Sequence, residues 1–115
     1  MVRYKDERLD RIFSALSDPT RRAMLARLEG EPRLSISDLA EPFAMTLPAI
    51  LKHLDILSDV GLIRRSKEGR TVWVNIEAGS MKVAMDWLER HRLFWSTSLE
   101  RLARYAEAKE RDSEH

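Results

Sequence analysis

The sequence predicts a mainly α-helical fold with one small antiparallel β-hairpin, in the order α-α-α-α-β-β-α. Apolar residues recur at helical spacing in four short segments and in one long segment near the end of the chain. Between the last short segment and the long one, Val72, Val74 and Ile76 occupy alternate positions, which is the pattern of a strand. A chain of 115 residues with 43% apolar composition can fold around one small core, so we predict a single domain over residues 1–115.

The first two helices are predicted from apolar spacing and from a cap. Apolar positions from Leu9 to Leu16 follow the i, i+3, i+4, i+7 pattern of one buried helix face. Asp18 is a good N-cap and Pro19 falls at the first helical position, so a second helix begins there. This second helix is predicted to run to about Leu28.

The next two helices are separated by only a few residues. Ser35 precedes a third helix, which must be short because Pro42 would disrupt a helix interior. Thr46 then caps a fourth helix over residues 46–60, and Gly61 occupies the position that ends it. A helix, a tight turn and a second helix in succession form a helix-turn-helix.

The fourth helix has one apolar face and one face whose charge changes along its length. Ile50, Leu54 and Leu57 share the apolar face. On the opposite face the N-terminal half is small or basic, from Pro48 to Lys52, and the C-terminal half is acidic. A helix that enters the major groove of DNA does so with its N-terminal residues, where the macrodipole is positive. The same pattern fits an ordinary amphipathic surface helix, so this helix alone leaves both interpretations open.

A basic hairpin follows directly, over residues 62–76. Its two predicted strands are joined by Glu68-Gly69, and a glycine in such a short link is typical of a hairpin. Four basic residues and one acid lie between residues 62 and 75. A basic hairpin after such a helix predicts the wing of a winged helix, with Lys67 and Arg70 at its tip reaching phosphate or the minor groove.

The last predicted helix, over residues 80–106, is long and carries two apolar stripes. One stripe follows a seven-residue repeat that Arg92 interrupts, and Trp87, His91 and Phe94 belong to the other. One small domain cannot easily cover both, so we expect one stripe to pack on the body and the other on a second copy of the chain. A monomer that covers the whole helix is the alternative, and residues 107–115 are predicted to form a polar tail. The predicted dimer interface consists of Leu9, Phe13, Met81, Leu88, Trp95, Leu99 and Leu102.

The composition excludes several classes of protein. The chain has no cysteine, which excludes disulfides and thiolate metal sites, and we predict no cofactor. No stretch is apolar enough to span a membrane and the charged N-terminus does not fit a signal peptide, so we expect a cytoplasmic protein. The formal net charge is only +1, so affinity for nucleic acid must come from local clusters such as the wing.

Three stretches of the sequence together resemble the ArsR/SmtB family of winged-helix repressors. They are ALSDPTRRAML, SISDLAEPFAMTLPAILKHLDILSDVGLI and RRSKEGRTVWVNI, and the resemblance covers about residues 9–105. Its most specific part is LPAILKHLDIL followed by GLI and the basic hairpin. The resemblance implies a homodimeric, sequence-specific transcriptional regulator, typically a repressor of its own operon, with double-stranded operator DNA as its partner.

The resemblance also implies which residues contact DNA. Residues at the start of the fourth helix would face or flank the DNA, Ser37 would contact a phosphate and the wing would add further contacts. Leu47 stands where many relatives have a polar residue, which implies apolar contact with thymine methyl groups or readout of DNA shape. For His53, packing and a phosphate contact both remain open. The predicted DNA-binding residues are Ser37, Thr46, Leu47, Pro48, Ala49, Lys52, His53, Arg65, Lys67 and Arg70.

The sequence departs from the metal-sensing members of that family. Ser35 and Ser37 stand at the two positions where those members carry a cysteine pair, and a neutral hydroxyl is a poor ligand for soft metals. The last helix offers one histidine, His91, where other members have spaced acidic and histidine ligands. We therefore expect no metal site, and the sequence does not identify an effector.

Two other classes of function fit the sequence less well than a DNA-binding repressor. Winged helices also serve as protein-interaction modules, and the long last helix would then be the binding surface, although a basic wing has little use in such a module. An enzyme is not expected, because the sequence shows no nucleophile–base pair, no Gly-rich phosphate loop and no metal cluster.

Overall fold

The computed structural model describes residues 7–113, and within them it contains five helices and three strands. The predicted mainly helical fold with a small antiparallel hairpin is confirmed. The charged N-terminal residues before Glu7 and the last two positions of the predicted tail lie outside the described residues. The elements are α1 (Glu7–Leu16), α2 (Pro19–Glu29), β1 (Leu34–Ser35), α3 (Ile36–Ala40), α4 (Leu47–Asp59), β2 (Ile63–Glu68), β3 (Thr71–Ile76) and α5 (Ala78–Ser113).

Three helices begin where the sequence places their caps. The Asp18 carboxylate accepts from the amide of Arg21 at 3.0 Å, and the Ser35 hydroxyl accepts from the amide of Asp38 at 3.1 Å. The Thr46 hydroxyl accepts from the amide of Ala49 at 3.4 Å. Each cap satisfies an amide that has no partner inside its helix, so these short helices begin at defined residues. α3 ends at Ala40, two residues before the proline that limits it.

The sheet has one strand that the sequence pattern did not predict. Its order is β1-β3-β2, and β1 pairs Leu34 with Val74 across an antiparallel ladder. A strand of two residues is too short to show alternation, which is why β1 was missed. The hairpin turn also differs by one residue. The register pairs Glu68 with Thr71, so the two-residue loop is Gly69-Arg70 rather than Glu68-Gly69. Gly69 has a φ of +61°, as a tight hairpin turn requires.

The core joins α4 to the first two helices and to the sheet. Ile50, Leu54 and Leu57 of α4 are fully buried, as their spacing predicts. α1 contributes Ile12 and Ala15 instead of the whole predicted apolar set, and its Phe13 side chain remains exposed. The buried core consists of Ile12, Ala15, Met24, Leu25, Leu28, Leu39, Ile50, Leu54, Leu57, Leu62, Ile63, Val74 and Ala84.

α5 is longer than the sequence pattern predicts. It begins at Ala78 and continues to Ser113, so residues 107–113 are helical rather than a polar tail. That stretch reads EAKERDS, most of which favours helix even without an apolar face. The chain forms two compact units, one up to Ala84 and one from Met85 onward. The second unit is one helix without a core of its own, so the single domain stays a prediction. Within residues 7–113, no helix is long and apolar enough to cross a membrane.

Gly61, which follows the end of α4, cannot carry a side chain without strain. Its φ is +76°, and a Cβ built on it would lie 2.6 Å from the Oγ atom of Ser80. We expect Gly61→Ala to lower the free energy of unfolding by roughly 1–3 kcal/mol, measured by urea denaturation. Gly30→Ala is the matched control, because Gly30 has a negative φ and open space around its Cα. An equal loss in both variants would contradict this account.

Candidate nucleic-acid interface

The N-terminal half of α4 presents small and apolar side chains to solvent. The Leu47 side chain is 57% exposed, and Pro48 and Lys52 are exposed beside it. Ala49 is half-buried, and the hydroxyl of Thr46 is occupied by the cap. This end of α4 therefore has a positive helix terminus, one long cation and little side-chain bulk. Such a surface can approach a DNA groove closely.

A cleft separates this end of α4 from the wing. It has a volume of about 320 Å³ and is lined by residues of β1, α3, α4 and the hairpin. Three predicted contacts, Ser37, Leu47 and Arg70, lie together around it. The structure thus brings residues that are up to 33 positions apart in sequence to one open surface. The lining residues are Ser35, Ile36, Ser37, Leu47, Leu51, Arg70, Thr71 and Val72.

The cations of the wing do not all have the same surroundings. Lys67 and Arg70 are exposed at its tip. Arg65, in contrast, is paired with Asp55 of α4, with 2.7 Å between its guanidinium nitrogen and the carboxylate oxygen. That ion pair joins β2 to the C-terminal half of the helix. Arg65 therefore links the wing to α4, and the tip cations are better placed to meet phosphate.

A contact that the sequence did not predict neutralises the only acid of the wing strands. Arg33 lies over the ring of Trp73, 3.9 Å from its centroid, and pairs with Glu68 at 2.9 Å. Arg33 directly precedes β1, and β1 was itself missed, so no signal linked this arginine to the hairpin. Because the carboxylate of Glu68 is paired, it offsets the positive charge of Lys67 and Arg70 less at the wing tip.

The structure places His53 on the body of the domain. Its Nδ1 atom lies 3.8 Å from the Asp18 carboxylate and 3.4 Å from the Arg21 guanidinium. The same guanidinium donates to the carbonyl oxygens of Ala15 at 2.7 Å and Ser14 at 3.2 Å. This Asp18–Arg21–His53 network joins α4 to the C-terminal end of α1 and to the N-terminal end of α2. The contacts of His53 therefore favour its packing role.

Asp18, in that network, is held in its charged form. The pKa of its carboxyl is lowered, mainly because it accepts the hydrogen bond from the Arg21 amide, with smaller effects from the Arg21 and His53 charges. Such a carboxyl stabilises the fold at pH values above the pKa that it has in the unfolded chain. That contribution is lost as the pH falls through the lowered value.

The predicted dimer residues fall in two settings. Met81 is partly buried against the core, whereas the stripe beyond it is open: the Trp95 side chain is 57% exposed. This stripe borders a groove of about 370 Å³ along α5. In the first unit, Phe13 is exposed and Leu9 is half-buried. The other exposed predicted residues on α5 are Leu88, Leu99 and Leu102.

His91 has a structural partner in the helix. Its ring stacks on Trp87 with 4.3 Å between centroids, and its Nδ1 donates to the Trp87 carbonyl oxygen at 2.8 Å. Among residues 7–113, no three histidine, aspartate or glutamate side chains are grouped closely enough to hold a metal ion.

Comparisons with known proteins show the family to which this chain belongs. A family model described as a helix-turn-helix domain matches residues 16–66. A crystal structure of an ArsR family transcriptional regulator is 42% identical, covers 84% of this chain and 97% of its own, and superposes with a TM-score of 0.73. This chain belongs to the ArsR family of transcriptional regulators. The predicted resemblance is therefore confirmed.

Two further relatives extend the match. An ArsR-like transcriptional regulator from Rhodococcus is 31% identical, with a TM-score of 0.66 over 87% of this chain and 93% of its own. The transcriptional repressor SdpR of Bacillus subtilis is 30% identical over 80 residues, which is 70% of this chain and 88% of SdpR. Membership of the ArsR family makes this protein a DNA-binding transcription regulator, and it is not an enzyme.

Proposed function

We propose that the protein is a homodimeric repressor that binds a two-fold symmetric operator, including one upstream of its own gene. The observation that carries this proposal is the cleft between α4 and the wing, around which Leu47, Ser37 and Arg70 lie together. The N-terminal half of α4 enters the major groove, and the wing tip contacts the backbone or minor groove beside it. Bound at a promoter, the dimer represses by excluding polymerase.

Affinity and specificity come from different parts of this surface. The cations at the wing tip contact phosphates, which releases counterions and supplies affinity that does not depend on sequence. The first turns of α4 meet the base edges and supply specificity. Since the net charge of the chain is only +1, the local clusters determine where DNA binds.

The exposed apolar end of α4 favours thymine methyl groups as its target. Leu47, Pro48 and Ala49 offer no side-chain hydrogen-bond donor, and the Thr46 hydroxyl already caps the helix. We expect that replacing half-site thymines with deoxyuridine, which removes only the methyl group, weakens binding roughly fourfold per contacted methyl. Fluorescence anisotropy measures the change. The control is Leu47→Ala, which should be insensitive to the replacement; equal weakening of both proteins would contradict methyl readout.

The dimer of the proposal uses the open stripe of α5. We expect Trp95→Ala to shift the protein from dimer to monomer in sedimentation velocity, because a large side chain at the centre of an apolar interface contributes several kcal/mol. The matched control is Leu93→Ala, which removes an exposed apolar side chain outside the stripe. A Trp95→Ala protein that remains dimeric would assign the interface to another surface.

The test of DNA binding is an anisotropy titration against the upstream intergenic DNA at two salt concentrations, with scrambled competitor. Tight binding that resists competitor and weakens with salt is the expected result. Binding that is weak or indifferent to sequence would contradict a repressor.

A protein-interaction module is the second candidate, because α5 exposes a long run of apolar side chains. Weak, sequence-indifferent DNA binding by a protein that is also monomeric would favour that candidate.

A further inference from the structure

The open stripe of α5 contains one charged side chain among apolar ones. From Met85 to Leu102 the stripe alternates in steps of three and four, as in the seam of a coiled coil. The charged residue is Arg92, whose Nε donates to the Glu89 carboxylate at 3.0 Å along the same helix. Both side chains are about two-thirds exposed. An exposed ion pair of this kind contributes little to the helix alone, so its place in the middle of an apolar groove needs another explanation.

The side chain next along the stripe can accept that cation. Trp95 lines the same groove as Arg92. Its ring is held edge-to-face by Phe94, with 5.1 Å between the centroids and 86° between the planes. An indole ring is the best aromatic acceptor for a guanidinium. Within the described part of α5 itself, the ring contact of Trp95 is with Phe94, and the charge of Arg92 is directed to Glu89.

The order of residues along the stripe decides how two copies fit. If two copies of α5 pair antiparallel about a point midway between Leu93 and Phe94, every apolar position of the stripe except Trp95 meets an apolar position. Met85 then meets Leu102 of the partner subunit, and Leu88 meets Leu99 of the partner subunit. Arg92 meets Trp95 of the partner subunit, and the two-fold axis repeats the contact. A parallel pairing in register would instead place Arg92 against Arg92 of the partner subunit, which is repulsive.

We infer that α5 pairs antiparallel with a second copy over about 26 Å and that the Arg92–Trp95 contact between subunits sets the register. This inference rests on the homodimer of the proposed function and specifies its interface. The same stripe carries both the cation and the indole ring of the contact, so its surface is complementary to itself. We therefore assign a second copy of the chain as the occupant of the groove. Any other partner would need its own cation and indole in reversed order. A single polar residue in a seam is a known means of fixing register.

Disulfide cross-linking tests the register directly, because the chain has no cysteine of its own. Met85→Cys and Leu102→Cys proteins should cross-link when mixed under mild oxidation, and neither should cross-link alone. Leu88→Cys with Leu99→Cys is the second pair, in case one variant folds poorly. Self-cross-linking of each single variant would show a parallel pairing and overturn the inference. A wild-type dimer without cross-links in either mixture would also overturn it, whereas a wild-type monomer in sedimentation would instead defeat the proposed homodimer.

Charge variants test the contact itself. Arg92→Glu places a carboxylate on the ring and beside Glu89, so the dimer dissociation constant should rise on the order of tenfold or more. Arg92→Lys keeps a cation and should stay much closer to wild type. Arg90→Glu is the matched control, since Arg90 is exposed on the same helix but lies outside the stripe. An Arg92→Glu dimer as tight as wild type would remove Arg92 from the interface.

Discussion

Lys67→Ala with Arg70→Ala is expected to weaken binding to every DNA sequence by about the same factor. The two changes remove four cations from the proposed dimer, and each phosphate contact contributes about 0.9 to the slope of log K against log salt. Near 0.1 M salt the loss is then on the order of a thousandfold. Because phosphate contacts carry no sequence information, operator and scrambled DNA should lose affinity equally. Anisotropy titrations at several salt concentrations measure both the loss and the flatter slope.

The control for the wing is a second double variant with the same change in net charge. Arg90→Ala with Arg104→Ala removes two exposed cations from α5, outside its apolar stripe. This variant should bind DNA nearly as wild type does. If both double variants lose the same affinity, the effect comes from overall charge and the wing has no specific role.

Leu54→Ala is expected to lower the free energy of unfolding by about 2–5 kcal/mol. The Leu54 side chain is fully buried at the centre of α4, where the helix meets α2 and the sheet. A domain of this size has about 5–15 kcal/mol in total, so the loss is a large fraction of its stability. Urea denaturation followed by circular dichroism measures it. DNA binding should weaken in parallel at temperatures where part of the protein is unfolded.

The same helix provides the control for that change. Ile56 lies two residues further along α4 and is 40% exposed. Ile56→Ala removes an aliphatic side chain of the same size from the surface, and it should cost less than about 1 kcal/mol. If both variants lose equal stability, the helix itself rather than its packing would be responsible.

The features that the sequence predicted correctly are those determined by neighbouring residues. Asp18, Ser35 and Thr46 each cap an amide three residues away, so each helix start could be recognised from a few letters. The buried face of α4 follows from the spacing of Ile50 and Leu57 in the same way. Local chemistry of this kind does not depend on how the chain folds back on itself.

The features that the sequence did not reveal depend on residues far apart in the chain. β1 is recognisable only by its partner, β3, which begins 36 residues after β1 ends. The ion pair of Arg65 with Asp55 joins the hairpin to α4 across ten positions, and Arg65 stays a predicted DNA contact. The contact of Arg21 with His53 likewise spans 32 positions. A run of cations in sequence therefore indicates a basic surface without indicating which of its members are already paired.

The attachments of α4 have a consequence for the thermodynamics of operator binding. The helix is held by its buried face, by the Asp18–Arg21–His53 network and by the link from Asp55 to the hairpin. A helix fixed in this way loses little conformational entropy when it docks, because its ordering took place during folding. Association then needs no folding step, and the heat-capacity change should match the apolar area buried between rigid surfaces. In the proposed complex, bases and phosphates would therefore meet a helix whose position on the domain is already set.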